Sequence, residues 1–411
     1  MLITDKYVKI KKTIIKMRYY MENYNNFYDN VTCPVWKKCN GCQLHNMKYQ
    51  EQLKWKYRRA DELLYKYGDV EEIIGMTNPL NYRNKAQAAF GMTRDKRLIS
   101  GMYQSSTKTI VRSDKCILED KLSAKILVDI RNVIIDLGIV PYNEFNGQGL
   151  LRHILIKRGF KTNEIMVVFV GISPIFPQKK KFVDELLSIH PEITTIVFNI
   201  NPDGPAMLLG EKEQVLYGKG YIEDILCGLK FRISAKSFYQ VNPKQTEILY
   251  GKAMEFAGLT GEETVIDAYC GIGTIGLIAS KNAKEVIGVE SNKAAVRDAV
   301  TNAKINDIKN VRFVNDDAGR FMVKMAEEKL HCDVLLMDPP RAGSDKAFLS
   351  SAVTLSPDKI VYISCNPETL ARDLDLLTKN GYRTEKIQPV DMFPFTSHIE
   401  TVVLLTKLKN A

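Results

Sequence analysis

From about residue 236 onward the chain keeps one rhythm: a short apolar run, a turn carrying reactive residues, then a helical stretch. "ETVIDAYCGIGTIGLIAS" is strand, glycine-rich turn and helix. "AKEVIGVESN" is a strand with an acid at its end, and "NVRFVNDDA" is another strand. "CDVLLMDPPR" ends in Asp-Pro-Pro, and "DKIVYISCNP" ends in a cysteine. Helices are predicted between them over 292–306, 318–329, 345–354 and 367–379. Parallel strands need long crossovers, which helices supply, so this alternation predicts a parallel, doubly wound α/β sheet. Such sheets bind ligands outside the carboxyl ends of their strands, so the residues ending these runs are the first functional candidates.

The preceding half reads differently. Between about 70 and 235 come alternating runs such as "LLRHILIKRG", "EIMVVFVGI" and "ITTIVFNI", punctuated by "GFKTN" and "NPDGP". They predict a mainly antiparallel α+β domain. "KYQEQLKWKYRRADELLYKYG" predicts a helix that ends at Gly68, and its 48–67 stretch is a candidate to pack on the catalytic part. The expected organisation is a loosely ordered basic arm (1–30), a central domain (31–235) and a catalytic domain (236–411). Met17 and Met21 are alternative starts. No run of about 18 apolar residues exists, which argues against a membrane-spanning helix, and the first residues lack the apolar stretch of a signal peptide. The formal charge of +10 suits a polyanionic partner such as RNA. Three of the eight cysteines crowd into ten residues, unlike a secreted disulfide framework; a reduced, cytoplasmic, monomeric protein is expected.

Glycines in "DAYCGIGTIG" let the backbone approach a ligand, and Glu290, about 20 residues on, can accept from a ribose. That pattern fits NAD enzymes and methyltransferases alike; D-x-Y-C-G-x-G looks like the first motif of S-adenosylmethionine-dependent methyltransferases. Asp316 and Asp317 end the third strand, where an acid can meet an adenine amino group or cap a helix. "DPPR" (338–341) differs from the motif of amino-group methyltransferases, which place an aromatic where Arg341 stands. Cys365, at the same edge, has a specific use. Carbon 5 of a pyrimidine is a poor nucleophile until a thiolate adds to carbon 6. A base must then take the carbon-5 proton. Glu400 interrupts the apolar run of "SHIETVVLL", where burial would raise its pKa; His398 competes for the role.

"SFYQVNP", "DAYCGIGT", "DPPR", "SCNPETLARDL" and "SHIETVVLL", in this order, resemble the bacterial RNA uracil-5-methyltransferases of the 23S rRNA and tRNA type. The resemblance covers roughly 31–411. It implies a Rossmann-like C-terminal domain with Cys365 as nucleophile and Glu400 as base. Gln240, Tyr269, Gly271, Glu290 and Asp338 would bind S-adenosylmethionine, with Asp317 near the adenine and Phe238 stacking on the target uracil. Cytosine-directed cousins carry a second cysteine after Asp-Pro-Pro; Arg341 there favours uracil.

Cys33, Cys39 and Cys42 give C-x5-C-x2-C, with Cys116 as the candidate fourth ligand. Thiolates alone fit zinc or an iron–sulfur centre. The resemblance implies a [4Fe–4S] cluster, structural or RNA-orienting, because methyl transfer needs no electron. Many ribosomal members begin with a small β-barrel RNA-binding domain, longer than the stretch before Cys33. RNA contacts are therefore expected from the central domain, with Arg83 and Lys85 on a strand. The expected substrate is 23S rRNA, with tRNA as runner-up. The rivals are an amino-group methyltransferase and a non-catalytic RNA-binding iron–sulfur protein.

Overall fold

In the computed structural model, residues 31–408 are described, apart from 105, 106, 108, 145 and 203–207. The expected arm at 1–30 lies outside the described residues.

The central sheet has seven strands: β1 Lys85–Met92, β2 Leu98–Tyr103, β3 Ile110–Arg112, β4 Leu151–Arg158, β5 Ile165–Gly171, β6 Ile193–Ile200 and β7 Lys212–Tyr217. Their order is β3-β2-β1-β4-β5-β6-β7, antiparallel except for β5 against β6. The Lys179–Ile189 helix makes that one parallel crossover. β5 is buried along its whole length because both faces are covered. The Lys121–Asp136 and Lys179–Ile189 helices bring Ile130 and Phe182 against Phe169 on one side. On the other side Met166 and Val168 meet Ile222 and Ile233 of a hairpin, β8 Tyr221–Leu226 and β9 Leu229–Ser234. The same hairpin puts Leu226, Leu229 and Phe231 into the core of the C-terminal sheet, so it joins the two halves.

The C-terminal sheet comprises β10 Thr264–Ala268, β11 Glu285–Glu290, β12 Val311–Asn315, β13 Val334–Met337, β14 Lys359–Ser364, β15 Tyr382–Val390 and β16 Glu400–Lys407, in the order β12-β11-β10-β13-β14-β16-β15. β10 to β14 are parallel, as the rhythm predicts. The last strand departs from it: β16 lies antiparallel between β14 and β15. An antiparallel final strand begins where its parallel neighbour ends, so its first residue, Glu400, comes to the carboxyl edge.

The Tyr49–Leu64 helix docks on this half. Ala60 and Leu64 enter its core, and the fully buried Lys56 ammonium lies 2.6 Å from the equally buried Asp391. Tyr49 donates to the other oxygen of that carboxylate at 2.8 Å. Among the described residues no helix is long and apolar enough to cross a membrane.

Candidate active site

Two cavities open side by side at the carboxyl edge. The first, of about 440 Å³, is lined by Tyr269, Gly271, Glu290, Asp317, Asp338 and Phe238, among others. The glycine-rich turn after β10 shapes it. Gly271 has φ +56 and would meet nothing if it carried a Cβ, so its backbone faces open space. Tyr269 also sits in the left-handed region, at φ 66. A bulky residue held there stores strain, which the buried surroundings must over-determine. Glu290, ending β11, accepts from Gly271 N at 3.1 Å and from Asn292 N at 2.7 Å, so its carboxylate is fixed at the rim. Asp317 resolves the choice between cap and ligand by allowing both. Its Oδ1 accepts from Arg320 N at 3.0 Å and caps the Ala318–Glu327 helix, while the side chain lines the cavity.

Two acids with raised pKa values stand at this cavity: Asp338, half-buried in its lining, and Asp267, fully buried in β10. Burial pushes Asp338 up to about 7. Asp267, in the middle of β10, rises to about 8; it accepts from Gly276 N at 2.7 Å and its other oxygen has no partner. Asp267 was missed as a site residue. Its signal was an acid inside an otherwise apolar strand. Tyr250, also missed, interacts with Gln240 and Thr274 beside Asp338, and so links Gln240 to this wall. Gln240 itself is tied to the central half: its carbonyl accepts from Asn84 Nδ2 at 3.1 Å.

The second cavity, of about 820 Å³, holds Cys365 together with Arg341, His398, Trp55, Arg58 and Arg59. Cys365 follows β14 directly. Asn366 next to it caps the Pro367–Lys379 helix, and its side chain also donates to Arg341 O at 3.2 Å, holding the Asp-Pro-Pro-Arg turn against the cysteine. Ser364 pairs with Thr401, so Glu400 stands beside Cys365 at the end of the ladder. Glu400 is buried, and burial and then Asp338 raise its pKa well above the usual carboxylate range, Arg341 opposing. Burial, then Glu400 and Asp338, push the half-buried Cys365 thiol up to about 11, again with Arg341 opposing. His398 lies 3.2 Å from Arg341, and burial and then that guanidinium favour its neutral form. Thiol, carboxylates and guanidinium therefore form one electrostatic unit. It can form a thiolate nucleophile and a proton-accepting carboxylate at one point. The aromatic and arginines of the Tyr49–Leu64 helix form a wall that the sequence reading did not anticipate.

None of Cys33, Cys39, Cys42 and Cys116 lines either cavity. Burial, then Cys116 and the other two thiols, hold Cys42 up to about 12. Among the described residues no group of three or more His, Cys, Asp or Glu side chains stands at metal-holding spacing. Arg83 does not lie in β1. It is half-buried, over the Tyr82 ring and near Cys116 and Cys42. Lys85 does begin β1, and Phe238 is strongly exposed, at 71%, on the loop leading from β9.

Residues 209–408 match the model of the tRNA (uracil-5-)-methyltransferase family. An uncharacterized RNA methyltransferase of Halalkalibacterium halodurans is 44% identical over 383 residues, covering 92% of this chain and 83% of that protein. One from Caldanaerobacter subterraneus is 44% identical over 384 residues, covering 92% and 84%. Among solved structures, the Pyrococcus abyssi tRNA (uracil-54, C5)-methyltransferase in complex with S-adenosyl-L-homocysteine is similar over 92% of this chain and 88% of its own, at 28% identity and a TM-score of 0.75.

Proposed function

The chain belongs to the S-adenosylmethionine-dependent RNA uracil-5-methyltransferase family, and on that premise we propose that Cys365 and Glu400 carry out methylation of uridine carbon 5 in an RNA. The observation that carries the reading is their meeting at one sheet edge, brought about by the antiparallel β16, beside the cavity at the glycine-rich turn.

That cavity suits a cationic nucleoside. In this reading Glu290 holds the ribose, Asp317 meets the adenine and Asp338 the amino-acid end, with Tyr269 and Gly271 shaping the floor and Gln240 acting through its contact with Tyr250 of the lining. Asp338, which lines the cavity and has no cationic partner at ion-pairing distance among the described residues, is suited to a positively charged ligand. S-adenosylmethionine, when bound, supplies a methyl group on a positively charged sulfur. The protein's residues do the rest. Phe238 stacks on the uracil once it has left its stack. The Cys365 thiolate adds to carbon 6, which makes carbon 5 nucleophilic toward the methyl group. With carbon 5 methylated, Glu400 removes its remaining proton, the double bond re-forms and the thiolate leaves.

The four cysteines are proposed to hold a [4Fe–4S] cluster. The support is chemical: four soft donors on two segments, whose thiols interact around Cys42 but do not stand at metal-holding spacing, are the ligand type such a centre takes. Its proposed role is structural or RNA-orienting. For the substrate we propose 23S rRNA. A second reading, tRNA, is favoured by the resemblance to the Pyrococcus abyssi enzyme. Mapping 5-methyluridine in both RNAs from a deletion strain decides: loss from rRNA alone is expected, and loss from tRNA alone overturns the first choice.

The chemistry is tested with RNA carrying 5-fluorouridine, whose fluorine Glu400 cannot remove as a proton. Wild type is expected to form an adduct stable on a denaturing gel, and Cys365→Ala none. Glu400→Gln on ordinary RNA is expected to methylate once and stall as a Cys365–RNA adduct. Turnover by Cys365→Ala would refute the mechanism.

A further inference from the structure

A third pocket, of about 210 Å³, lies between the central sheet and the loop after β9, and shares Phe238 with the cavity at the glycine-rich turn. Lys85, Lys157, Arg158 and Lys236 line it, and no acidic residue does. Arg158 is neutralised by Asp120 at 2.8 Å, and Lys236 by Glu211 at 3.2 Å. The other two are not. Lys85 and Lys157 stand directly opposite each other in the β1–β4 ladder, and neither has a carboxylate at ion-pairing distance among the described residues. Like charges across a ladder repel, and a buried ammonium without a counter-charge is costly.

Lys157 is 8% exposed. Its ammonium donates to Ser234 O at 2.9 Å and Ser237 O at 2.8 Å, two neutral acceptors that leave one N–H over. Asp298 and Glu213 act on it only from farther away; Asp298 is already occupied by the hydroxyls of Ser234 and Ser237. Burial, with Lys85 adding to it, lowers its pKa to about 7. Below the ordinary lysine range the unfolded chain therefore takes up a proton more readily than the folded one, and at neutral pH this lysine works against folding. A fold retains such an arrangement where the missing charge arrives with a ligand.

We propose that this pocket holds a backbone phosphate of the substrate RNA, beside the uridine turned out against Phe238. The inference rests on the RNA reading of the same site. Lys85 and Lys157 flank the phosphate and Arg158 closes the side. Phe238 then divides two recognition events, the base on one face and the backbone of the neighbouring nucleotide on the other. Positioning by phosphate and choice by base contact are commonly separated in this way.

The test measures binding of fluorescein-labelled U12 RNA against KCl concentration, with melting temperature and S-adenosylhomocysteine affinity measured in parallel. Lys157→Met, which keeps the length and drops the charge, is expected to bind about 5–20-fold more weakly, and its log–log salt slope to fall by roughly 0.7, one single-strand phosphate. Its melting temperature is expected to rise by a few degrees, with cofactor affinity unchanged. Lys85→Gln, at a less buried position, is expected to lower the slope alike and serves if Lys157→Met does not fold. An unchanged slope in both variants overturns the proposal. So does inorganic phosphate raising the melting temperature of wild type alone while the RNA slope stays the same, which assigns the pocket to a free anion. Because no chemistry is measured, a wild type that fails to trap 5-fluorouridine RNA while the slopes change refutes the methylation reading and leaves the pocket.

Discussion

As the proposed nucleophile, Cys365 would stand in surroundings that suppress the state it needs. Its thiol is held up to about 11 by burial and by Glu400 and Asp338, and Arg341 only partly offsets them. A thiolate forms there readily only when positive charge arrives nearby, and a sulfonium in the neighbouring cavity brings it. On the proposed reading, the reactivity of Cys365 waits for the methyl donor. Alkylation of Cys365 by iodoacetamide, followed by mass spectrometry of its peptide, is expected to titrate near pH 11 in the free protein. With sinefungin, which has a cationic amine near the sulfonium position, the midpoint is expected to fall by roughly one unit or more. S-adenosylhomocysteine, with a neutral sulfur, is expected to leave it in place. Equal effects of the two ligands would mean that shape, not charge, controls the thiol.

Among the elements, the Tyr49–Leu64 helix is anchored through one buried ion pair. Its buried Lys56 meets Asp391 and also donates to Phe393 O at 3.0 Å. Removing one partner of a dry ion pair leaves the other charge stranded, whereas replacing both with apolar groups is often neutral. Asp391→Ala is expected to lose about 3–5 kcal/mol in denaturant unfolding, and Lys56→Met with Asp391→Leu to recover much of it. A double variant no better than the single would place the stability in Tyr49 and the backbone instead. The elements also show what the sequence could reveal. β10 to β14 and their helices were legible because each buried run is apolar and ends in a distinct reactive residue. β8 and β9 were not, because their turn is Cys227-Gly228 with φ 49 and 75, a left-handed pair usually signalled by Asn-Gly. β15 was hidden by its charges and by Pro389, which are tolerated because it is an edge strand. Cys365 and Glu400 could be picked from sequence as isolated polar residues at strand ends. The basic pocket could not, since it depends on the register that sets Lys85 against Lys157.

Across the whole molecule, the cysteine-bearing segment and the carboxyl edge that carries Cys365 and Glu400 are joined by one loop, residues 391–399. Leu44 N donates to Phe395 O at 3.0 Å, Phe395 N to Gln52 Oε1 at 2.8 Å, and Tyr82 OH to Pro394 O at 3.1 Å. Ser397 N donates to Gln43 Oε1 at 3.3 Å, next to Cys42. Phe395 is held at φ 68, a conformation that this surrounding packing must enforce. The loop then runs through His398 into Glu400. If the four thiolates hold a cluster, their binding energy orders this segment, as metal binding does where a site is not preformed. Anaerobically purified protein is then expected to contain iron and absorb broadly near ~400 nm. Cys42→Ala is expected to lose both, and amide exchange at Phe395 and Ser397 to quicken by about tenfold or more, while the amides of β10 and β13 keep their protection. Zinc without iron would reassign the centre. Unchanged exchange at Phe395 and Ser397 in iron-free protein would show that packing of the Tyr49–Leu64 helix holds the loop without the cysteines.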